Sequence, residues 1–323
     1  MKPILAEMSL TWALRGVRVR GVDRVAKLHD DEVDIDASLV TRLLAEQFPQ
    51  WAGLPVRVVS GSGTDNVTFQ LGDELSERLP RTESTQGQVE KDLTWMPRLA
   101  PHLPLPIPEP LEKGEPGLGY PFTWGVYRWL EGEPYSDELV DSVDAARQLA
   151  EFIQCLQEVD TTGAPVPPDD PFVRGTPLAP RDGLFREALE QLRDDFDTAR
   201  LLAAWEASLE ADTWDGRPRW IHGDLMPDNI LVANGKLSAV IDFGTARAAD
   251  PAADLLAAWY TFDGPSRDAF REAMGVDQDT WARARAWALS LTIIAVPYYR
   301  DRRPGAVDGA QSFVAEILAD FDA

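Results

Sequence analysis

The alternation of apolar and polar residues that is typical of a folded domain begins at Asp36, and the first apolar side chains recur at helical spacing. After Asp36, the apolar residues Leu39, Leu43, Leu44 and Phe48 recur at helical spacing and predict a helix that ends before Pro49. The same periodicity predicts helices at 86–99, 144–159, 184–209 (with room for one break) and almost throughout the chain after residue 251.

Short alternating stretches predict strands. Val56 to Val59, Val67 to Phe69 and Leu75 to Leu79 are separated by glycine-containing turns, which favours three short antiparallel strands. Residues 120–130 are aromatic and β-prone, whereas the proline-rich stretch 101–110 cannot be helical and is expected to be extended.

Two further β-like stretches, 221–232 and 237–241, flank a turn at Asn234-Gly235. A β-rich first third followed by a mainly helical remainder predicts an α+β, two-lobed architecture. We expect an N-terminal extension at 1–29, which is basic, a first lobe at 30–129 and a second lobe at 130–323.

Composition narrows the functional classes. With 31 basic and 54 acidic residues, the 323-residue chain has a net charge of −23, so nucleic acid and anionic membranes are not expected as partners. The single cysteine, Cys155, excludes an internal disulfide, and the longest apolar stretch, 287–296, is too short to span a bilayer. The N-terminus lacks a signal-peptide pattern, so we expect a cytoplasmic protein.

The strongest chemical signal is the stretch His222-Gly223-Asp224 with Asn229, followed by Asp242-Phe243-Gly244. An Asp, an Asn and an Asp-Phe-Gly in this order fit the phosphoryl-transfer template, in which catalysis consists mainly of positioning and charge neutralisation. Asp224 is predicted to accept the proton of the attacking hydroxyl. Asn229 and Asp242 are predicted to bind Mg²⁺ through oxygen atoms. The turn at Asn234-Gly235 should return the chain so that Asp242 lies beside Asn229.

These motifs, together with Asp250-Pro251-Ala252-Ala253-Asp254, resemble those of the aminoglycoside phosphotransferase family over about residues 31–320. The resemblance implies a protein-kinase-like fold and an enzyme that uses ATP or GTP to phosphorylate a small molecule. Leu79-Pro80-Arg81 and Leu99-Ala100-Pro101 are also similar to the macrolide phosphotransferase branch. Few residues separate Phe243-Gly244 from Asp250, which leaves no activation segment for a peptide substrate.

The resemblance also implies a nucleotide site in the first lobe. Gly61, Ser62, Gly63, Thr64 and Asn66 correspond to the loop over the phosphates, with Asn66 where a third glycine is expected. Arg78 stands where the family has a phosphate-binding lysine. Asp92 stands where it has a glutamate, with Glu90 as the alternative. Arg128 and Leu130 fall where backbone groups would bind the purine.

The acceptor is less well defined by the sequence. Nine acidic residues between 131 and 160 could attract an amine-bearing sugar or could simply form a solvated face. Asp228 is a candidate substrate contact. Four aromatic residues could instead line an apolar pocket or belong to the core: Trp281, Trp287, Tyr298 and Tyr299. A hydroxyl-bearing antibiotic is the expected acceptor. A metabolic kinase for choline, homoserine or a sugar, and a nucleotide-binding pseudokinase, are the alternatives.

Overall fold

The computed structural model describes residues 32–59, 65–301 and 305–323, and these divide into two compact units. The first unit contains the described residues up to Pro101 together with Pro106–Glu131. The second contains His102–Leu105 and Gly132–Ala323. The predicted N-terminal extension, 1–29, lies outside the described residues.

The first unit is built on a five-stranded antiparallel sheet with the order β1-β2-β3-β5-β4. Its elements are α1 (Ala37–Gln47), β1 (Val56–Val58), β2 (Asn66–Leu71), β3 (Leu75–Pro80), α2 (Gln88–Leu99), β4 (Pro110–Gly114) and β5 (Trp124–Arg128). The predicted strands are therefore present. β4 was not anticipated, because its sequence shows no alternation and follows the proline-rich stretch.

One face of this sheet forms the core of the first unit. Phe69, Glu77 and Val126 lie opposite one another on β2, β3 and β5, and they share a face with apolar neighbours on the same strands. Leu43 and Leu44 of α1 belong to the same buried cluster as Phe69 and Val126. The apolar periodicity seen in the sequence thus corresponds to one helix face packed on one sheet face.

The second unit is mainly helical, as the pattern predicted. Its helices are α3 (Ser142–Glu158), α4 (Asp182–Gln191), α5 (Thr198–Leu209), α6 (Ala257–Tyr260), α7 (Gly264–Met274), α8 (Gln278–Tyr299) and α9 (Ala306–Phe321). The long helix expected at 184–209 is broken between Gln191 and Thr198, where Asp197 begins a new helix by accepting the N–H of Arg200 at 3.1 Å.

Short strands in the second unit hold the predicted chemical motif. They are β6 (Glu133–Pro134), β7 (Arg219–Ile221), β8 (Ile230–Ala233), β9 (Lys236–Val240) and β10 (Arg247–Ala249). β8 and β9 form the expected hairpin, whose turn places Asn234 and Gly235 at positive φ. β7 pairs with β10, and β6 pairs with β8. No helix among the described residues is both long and apolar enough to cross a membrane.

Candidate active site

The loop that follows β7 carries Asp224 and is held by a buried carboxylate. Asp254, which is completely buried, accepts the backbone N–H of His222 at 2.8 Å and that of Gly223 at 2.7 Å. Gly223 has a φ of +82°, and a Cβ there would lie 2.9 Å from the hydroxyl oxygen of Thr245, so glycine is required. Asp254 therefore braces the loop that carries Asp224.

Asp224 itself is bound on both carboxyl oxygens. Arg174 Nη1 donates to Oδ1 at 2.7 Å, and Asn229 Nδ2 donates to Oδ2 at 3.1 Å. The side chain of Asn229 also reaches the backbone oxygen of Asp224 at 2.9 Å. Asp224 is only 2% exposed, so its orientation is set by protein groups rather than by solvent.

The imidazole of His222 joins the loop to the end of β9. Its Nε2 lies 3.0 Å from the carbonyl oxygen of Ile241, and its Nδ1 accepts the backbone N–H of Asp224 at 3.1 Å. These two bonds require a proton on Nε2 and none on Nδ1, which assigns a neutral tautomer. The ring also packs edge-on against Phe243, with centroids 4.6 Å apart. His222 is therefore a fixed structural element and has no free nitrogen to act as a base.

The β8–β9 hairpin brings Asp242 next to Asn229, as the spacing predicted. Ile230 pairs with Val240, and the N–H of Ile241 donates to the carbonyl of Asn229 at 2.9 Å. Asp242 follows immediately and adopts a left-handed conformation with φ 67° and ψ 64°. This conformation turns the chain out of the strand at the position where a metal ligand is predicted.

Asn229 and Asp242 form a donor set that suits a hard divalent cation. Because both amide hydrogens of Asn229 are directed at Asp224, the amide oxygen is left for a ligand. An amide oxygen and a carboxylate are ligands that Mg²⁺ accepts while it keeps part of its water shell. Among the described residues there is no cluster of three or more His, Cys, Asp or Glu side chains that could hold a metal ion by themselves.

Burial dominates the electrostatics of Asp254. It raises the pKa of this carboxyl to about 7, although the N–H groups of Gly223 and His222 act in the opposite direction. The cation of Arg174 also lowers the pKa of Asp254, whereas the neighbouring carboxylate of Asp224 raises it. Asp224, Arg174 and Asp254 thus form one electrostatically connected group.

In the first unit, two of the residues expected to bind nucleotide meet at Tyr127. The guanidinium of Arg78 lies 5.9 Å from the centre of the Tyr127 ring, and the tyrosine hydroxyl donates to Asp92 Oδ2 at 2.9 Å. Asp92 is buried, whereas Glu90 is exposed and pairs with Lys113 at 3.3 Å. This geometry favours Asp92 over Glu90 as the acid associated with Arg78.

The other residues predicted to bind the nucleotide differ in their burial and in their hydrogen bonds. Asn66 begins β2, is buried, and donates through Nδ2 to Gln88 at 2.8 Å. Arg128 has an exposed side chain, and its backbone N–H donates to the carbonyl of Glu109 at 2.9 Å, so that N–H is already used within the fold. Leu130 is half-buried. Gly61, Ser62, Gly63 and Thr64 lie outside the described residues.

The residues considered for binding the acceptor substrate lie either on the surface or in the core. All nine acidic residues between 131 and 160 are exposed, which fits a solvated face. Trp281, Trp287 and Tyr299 are buried in the core, while Tyr298 and Asp228 are half-buried. Three of the four aromatic residues considered for an apolar pocket are therefore core residues.

Arg174 was not identified from the sequence. It lies fifty residues before Asp224, in the irregular segment between α3 and α4, where no periodicity or motif marks it. Arg181 occurs in the same acidic, proline-rich stretch, and nothing in the sequence distinguishes Arg174 from it. Contacts between residues so far apart in sequence depend on the tertiary fold, so the pattern of the chain does not show them.

The fold and this loop together define a kinase-like phosphotransferase. The chain matches the phosphotransferase enzyme family over residues 56–287, which is more than half of its length. It belongs to that family and is a small-molecule phosphotransferase that depends on a nucleoside triphosphate. The predicted class of enzyme is thus confirmed. No curated protein sequence matches the chain.

Solved structures share the fold at low sequence identity. A complex of the aminoglycoside phosphotransferase APH(2'')-IIIa with GDP and kanamycin is 23% identical, with a TM-score of 0.68, and the match covers 87% of this chain and 99% of that one. The macrolide 2'-phosphotransferase MphH from Brachybacterium faecium is also 23% identical, with a TM-score of 0.55, covering 85% and 98%. These matches confirm the predicted kinase-like, two-lobed α+β fold.

Proposed function

We propose that this protein transfers the γ-phosphoryl group of ATP or GTP to a hydroxyl of a small antibiotic molecule. The observation that carries the proposal is the arrangement of Asp224, Asn229 and Asp242. The first two are hydrogen-bonded, and the backbone bond from Ile241 to Asn229 places the third beside them. This is the set of groups that phosphoryl transfer to an alcohol requires.

In the proposed reaction, the acceptor hydroxyl oxygen forms a bond to the γ-phosphorus. The bond between that phosphorus and the oxygen bridging to the β-phosphate breaks, and the hydroxyl proton passes to the carboxylate of Asp224. Asp224 is suited to this role because Asn229 and Arg174 hold one oxygen each and so fix the direction of the carboxylate. Asn229 and Asp242 would hold Mg²⁺, which neutralises charge on the phosphates when it is bound.

Arg78 and Asp92 are the residues of the first unit that we assign to the nucleotide. A guanidinium is charged at every physiological pH and can bind phosphate oxygens through two N–H groups. The stacking of Arg78 on Tyr127 and the bond from Tyr127 to Asp92 restrict both side chains, which supports this assignment. Gly61, Ser62, Gly63 and Thr64, together with the backbone of Leu130, complete the proposed nucleotide contacts.

The acceptor class follows from similarity to proteins that act on antibiotics. The structures with the same fold include one bound to kanamycin, one bound to gentamicin and a macrolide 2'-phosphotransferase. Both classes supply a sugar hydroxyl, so we propose an antibiotic of aminoglycoside, macrolide or nucleoside type. We assign no role to the exposed acidic face, because its carboxylates lie in solvent and their attraction is screened by salt.

The test is a phosphate-transfer assay with ATP or GTP, Mg²⁺ and a panel of kanamycin, gentamicin, a macrolide, a nucleoside antibiotic, choline and homoserine. We expect transfer to an antibiotic, detected as a mass increase of one phosphate. Asp224→Asn should lower turnover by about 10²–10⁴, the range for loss of a general base. Asparagine is preferred to alanine because it keeps a partner for the buried Arg174. An exposed change, Asp215→Asn, is the matched control and should leave turnover unaltered.

Three outcomes would contradict the proposal in different ways. Full turnover by Asp224→Asn would remove the assigned base. Transfer only to choline or homoserine would make the protein a metabolic kinase. Nucleotide binding without transfer to any acceptor, shown by a thermal shift with ATP and Mg²⁺, would make it a binding protein.

A further inference from the structure

The side chain of Arg174 contacts Asp224 from outside the family motifs. It is 1% exposed, and its Nη1 donates to Asp224 Oδ1 at 2.7 Å. The other carboxylate oxygen, Oδ2, accepts a hydrogen bond from Asn229 Nδ2 at 3.1 Å. The carboxylate is therefore held from two sides by donors that come from distant parts of the chain, and rotation about its last side-chain bond would break both contacts.

The turn that carries Arg174 is fixed by its own hydrogen bonds. The carboxylate of Asp170 accepts the N–H of Phe172 at 2.9 Å, and the hydroxyl of Thr176 donates to the carbonyl of Val173 at 2.8 Å. These bonds close the turn on both sides of Arg174. The arginine is thus presented by an ordered segment, although this segment has no regular secondary structure.

The same turn is also packed against the strands next to the catalytic loop. Gly175 has a φ of +82°, and a Cβ at this position would lie 2.4 Å from the Cβ of Ala249 and 3.0 Å from the side chain of Ile221. Its carbonyl accepts the N–H of Asp250 at 3.3 Å. Since Ile221 ends β7 and Ala249 ends β10, this contact ties the position of Arg174 to the strand that leads into Asp224.

The chemistry of the pair explains what this rigidity can do. A guanidinium stays protonated and forms charge-assisted hydrogen bonds, which are shorter and stronger than neutral ones. A general base works only within hydrogen-bond reach of the proton it accepts, and a misplacement of about 1 Å can cost about 10²-fold in rate. Because the buried guanidinium of Arg174 is fixed on Oδ1, it also fixes the direction of the Asp224 carboxylate.

We propose that Arg174 is a positioning residue for phosphoryl transfer, which sets the orientation of the Asp224 carboxylate through Oδ1. The assignment rests on the proposed function of Asp224. Arg174 acts through Asp224, so its loss should lower kcat and leave nucleotide binding almost unchanged. Its buried contacts alone, without a role in transfer, would affect stability but would not separate kcat from KM in this way.

The experiment compares Arg174→Ala, Arg174→Gln and Arg174→Lys with a matched control, Arg285→Ala. Arg285 forms another buried arginine–aspartate pair, with Asp320 at 3.3 Å, in the same unit but on α8 and α9. Formation of ADP or GDP from ATP or GTP with Mg²⁺ is measured with kanamycin, with a macrolide and with water alone as acceptors. Melting temperature is recorded for every variant.

We expect Arg174→Ala and Arg174→Gln to lose about 10²-fold in kcat with the nucleotide KM changed by less than about threefold. Arg174→Lys should keep most of the activity, because an ammonium can reach the same oxygen. Low concentrations of guanidinium chloride should partly restore Arg174→Ala and should have no such effect on Arg285→Ala. Arg285→Ala should lose thermal stability but keep its kcat.

Wild-type kcat in folded Arg174→Ala or Arg174→Gln would overturn the assignment. Equal losses in the Arg174 and Arg285 variants, without rescue by guanidinium, would also overturn it. If the alanine variant does not fold, the glutamine variant gives the decisive kcat. A wild-type protein that forms no ADP or GDP with any acceptor overturns the proposed function and this assignment together. An active wild type with unaffected Arg174 variants overturns this assignment alone.

Discussion

In the part of the chain that the structure describes, two carboxyl groups are completely buried, one in each unit, and their surroundings are opposite. Glu77 lies at the centre of the five-stranded sheet, and neither of its carboxyl oxygens has a hydrogen-bond partner among the described residues. Asp254 accepts two backbone N–H groups. Burial raises the pKa of both groups, that of Glu77 well above its ordinary value and that of Asp254 to about 7. Burial is therefore the same in the two cases, and the hydrogen-bond partners differ.

This difference decides whether a buried acid supports the fold. Asp254 satisfies N–H groups that would otherwise be buried without partners, and it holds the loop on which Asp224 lies. Glu77 sits between the apolar residues Phe69 and Val126 on neighbouring strands, where a carboxyl gains nothing from its surroundings. Removal of the two side chains should consequently change stability in opposite directions.

The largest effect is expected for Asp254→Ala. This change removes two hydrogen bonds and leaves the N–H groups of His222 and Gly223 buried, so we expect a loss of about 3 kcal/mol or more in the free energy of unfolding. Chemical denaturation measures it. Asp277→Ala is the control, because Asp277 also accepts a backbone N–H, from Thr280 at 2.7 Å, but it caps an exposed helix end and should cost about 1 kcal/mol. Equal losses would contradict the assigned brace.

A gain in stability is expected for Glu77→Met. Methionine has a similar length and no polar atom that needs a partner, so the free energy of unfolding at neutral pH should rise by about 2 kcal/mol. Chemical denaturation at pH 7.5 checks this increase. Glu77→Gln keeps a polar group without a charge and should gain less. A clear destabilisation by methionine would mean that Glu77 has a partner of structural importance.

The pH dependence of stability follows from the raised pKa of Glu77. The folded state keeps the proton to a higher pH than the unfolded chain, whose glutamate has an ordinary pKa of 4.5. The contribution of protonated Glu77 to stability is therefore complete below about pH 4.5 and is lost as the pH rises through the folded-state pKa. The loss is at most about 1.4 kcal/mol per pH unit. Melting temperatures between pH 5 and 8 should fall in the wild type, and Glu77→Gln should reduce the slope. An identical slope would contradict the assignment of this titration to Glu77.

The smallest effect is expected for Tyr127→Phe. It removes the hydrogen bond to Asp92, 2.9 Å long, and keeps the ring next to which the Arg78 guanidinium lies. We expect a loss of about 1 kcal/mol in stability and a modest increase in the KM for ATP or GTP. Tyr120→Phe is the control within the same unit, because its hydroxyl donates to the carbonyl of Pro80 at 2.8 Å. An unchanged nucleotide KM for Tyr127→Phe would argue against a role of this group in binding.

Local features of the site could be predicted from the sequence, and contacts between distant segments could not. The hairpin at Asn234-Gly235 fixed the register that places Asp242 next to Asn229, because two-residue turns of this type define strand pairing. Arg174 and Glu77 gave no signal, since a charged residue in a loop or a strand normally faces solvent. Trp281 and Trp287 did give a signal in the sequence, but it was ambiguous. Their helical spacing fits both a ligand pocket and a core, and the structure shows that they belong to the core.

The left-handed backbone at Asp242 restricts which amino acids this position can hold. Its φ of 67° is readily tolerated by glycine, asparagine and aspartate, whereas β-branched residues would be strained there. Most other residues at this position would cost about 1–2 kcal/mol of stability through their backbone alone. Asparagine would be the informative replacement, because it tolerates the same backbone conformation but carries no negative charge. Its effect would therefore report the role of the carboxylate without a change in the path of the chain.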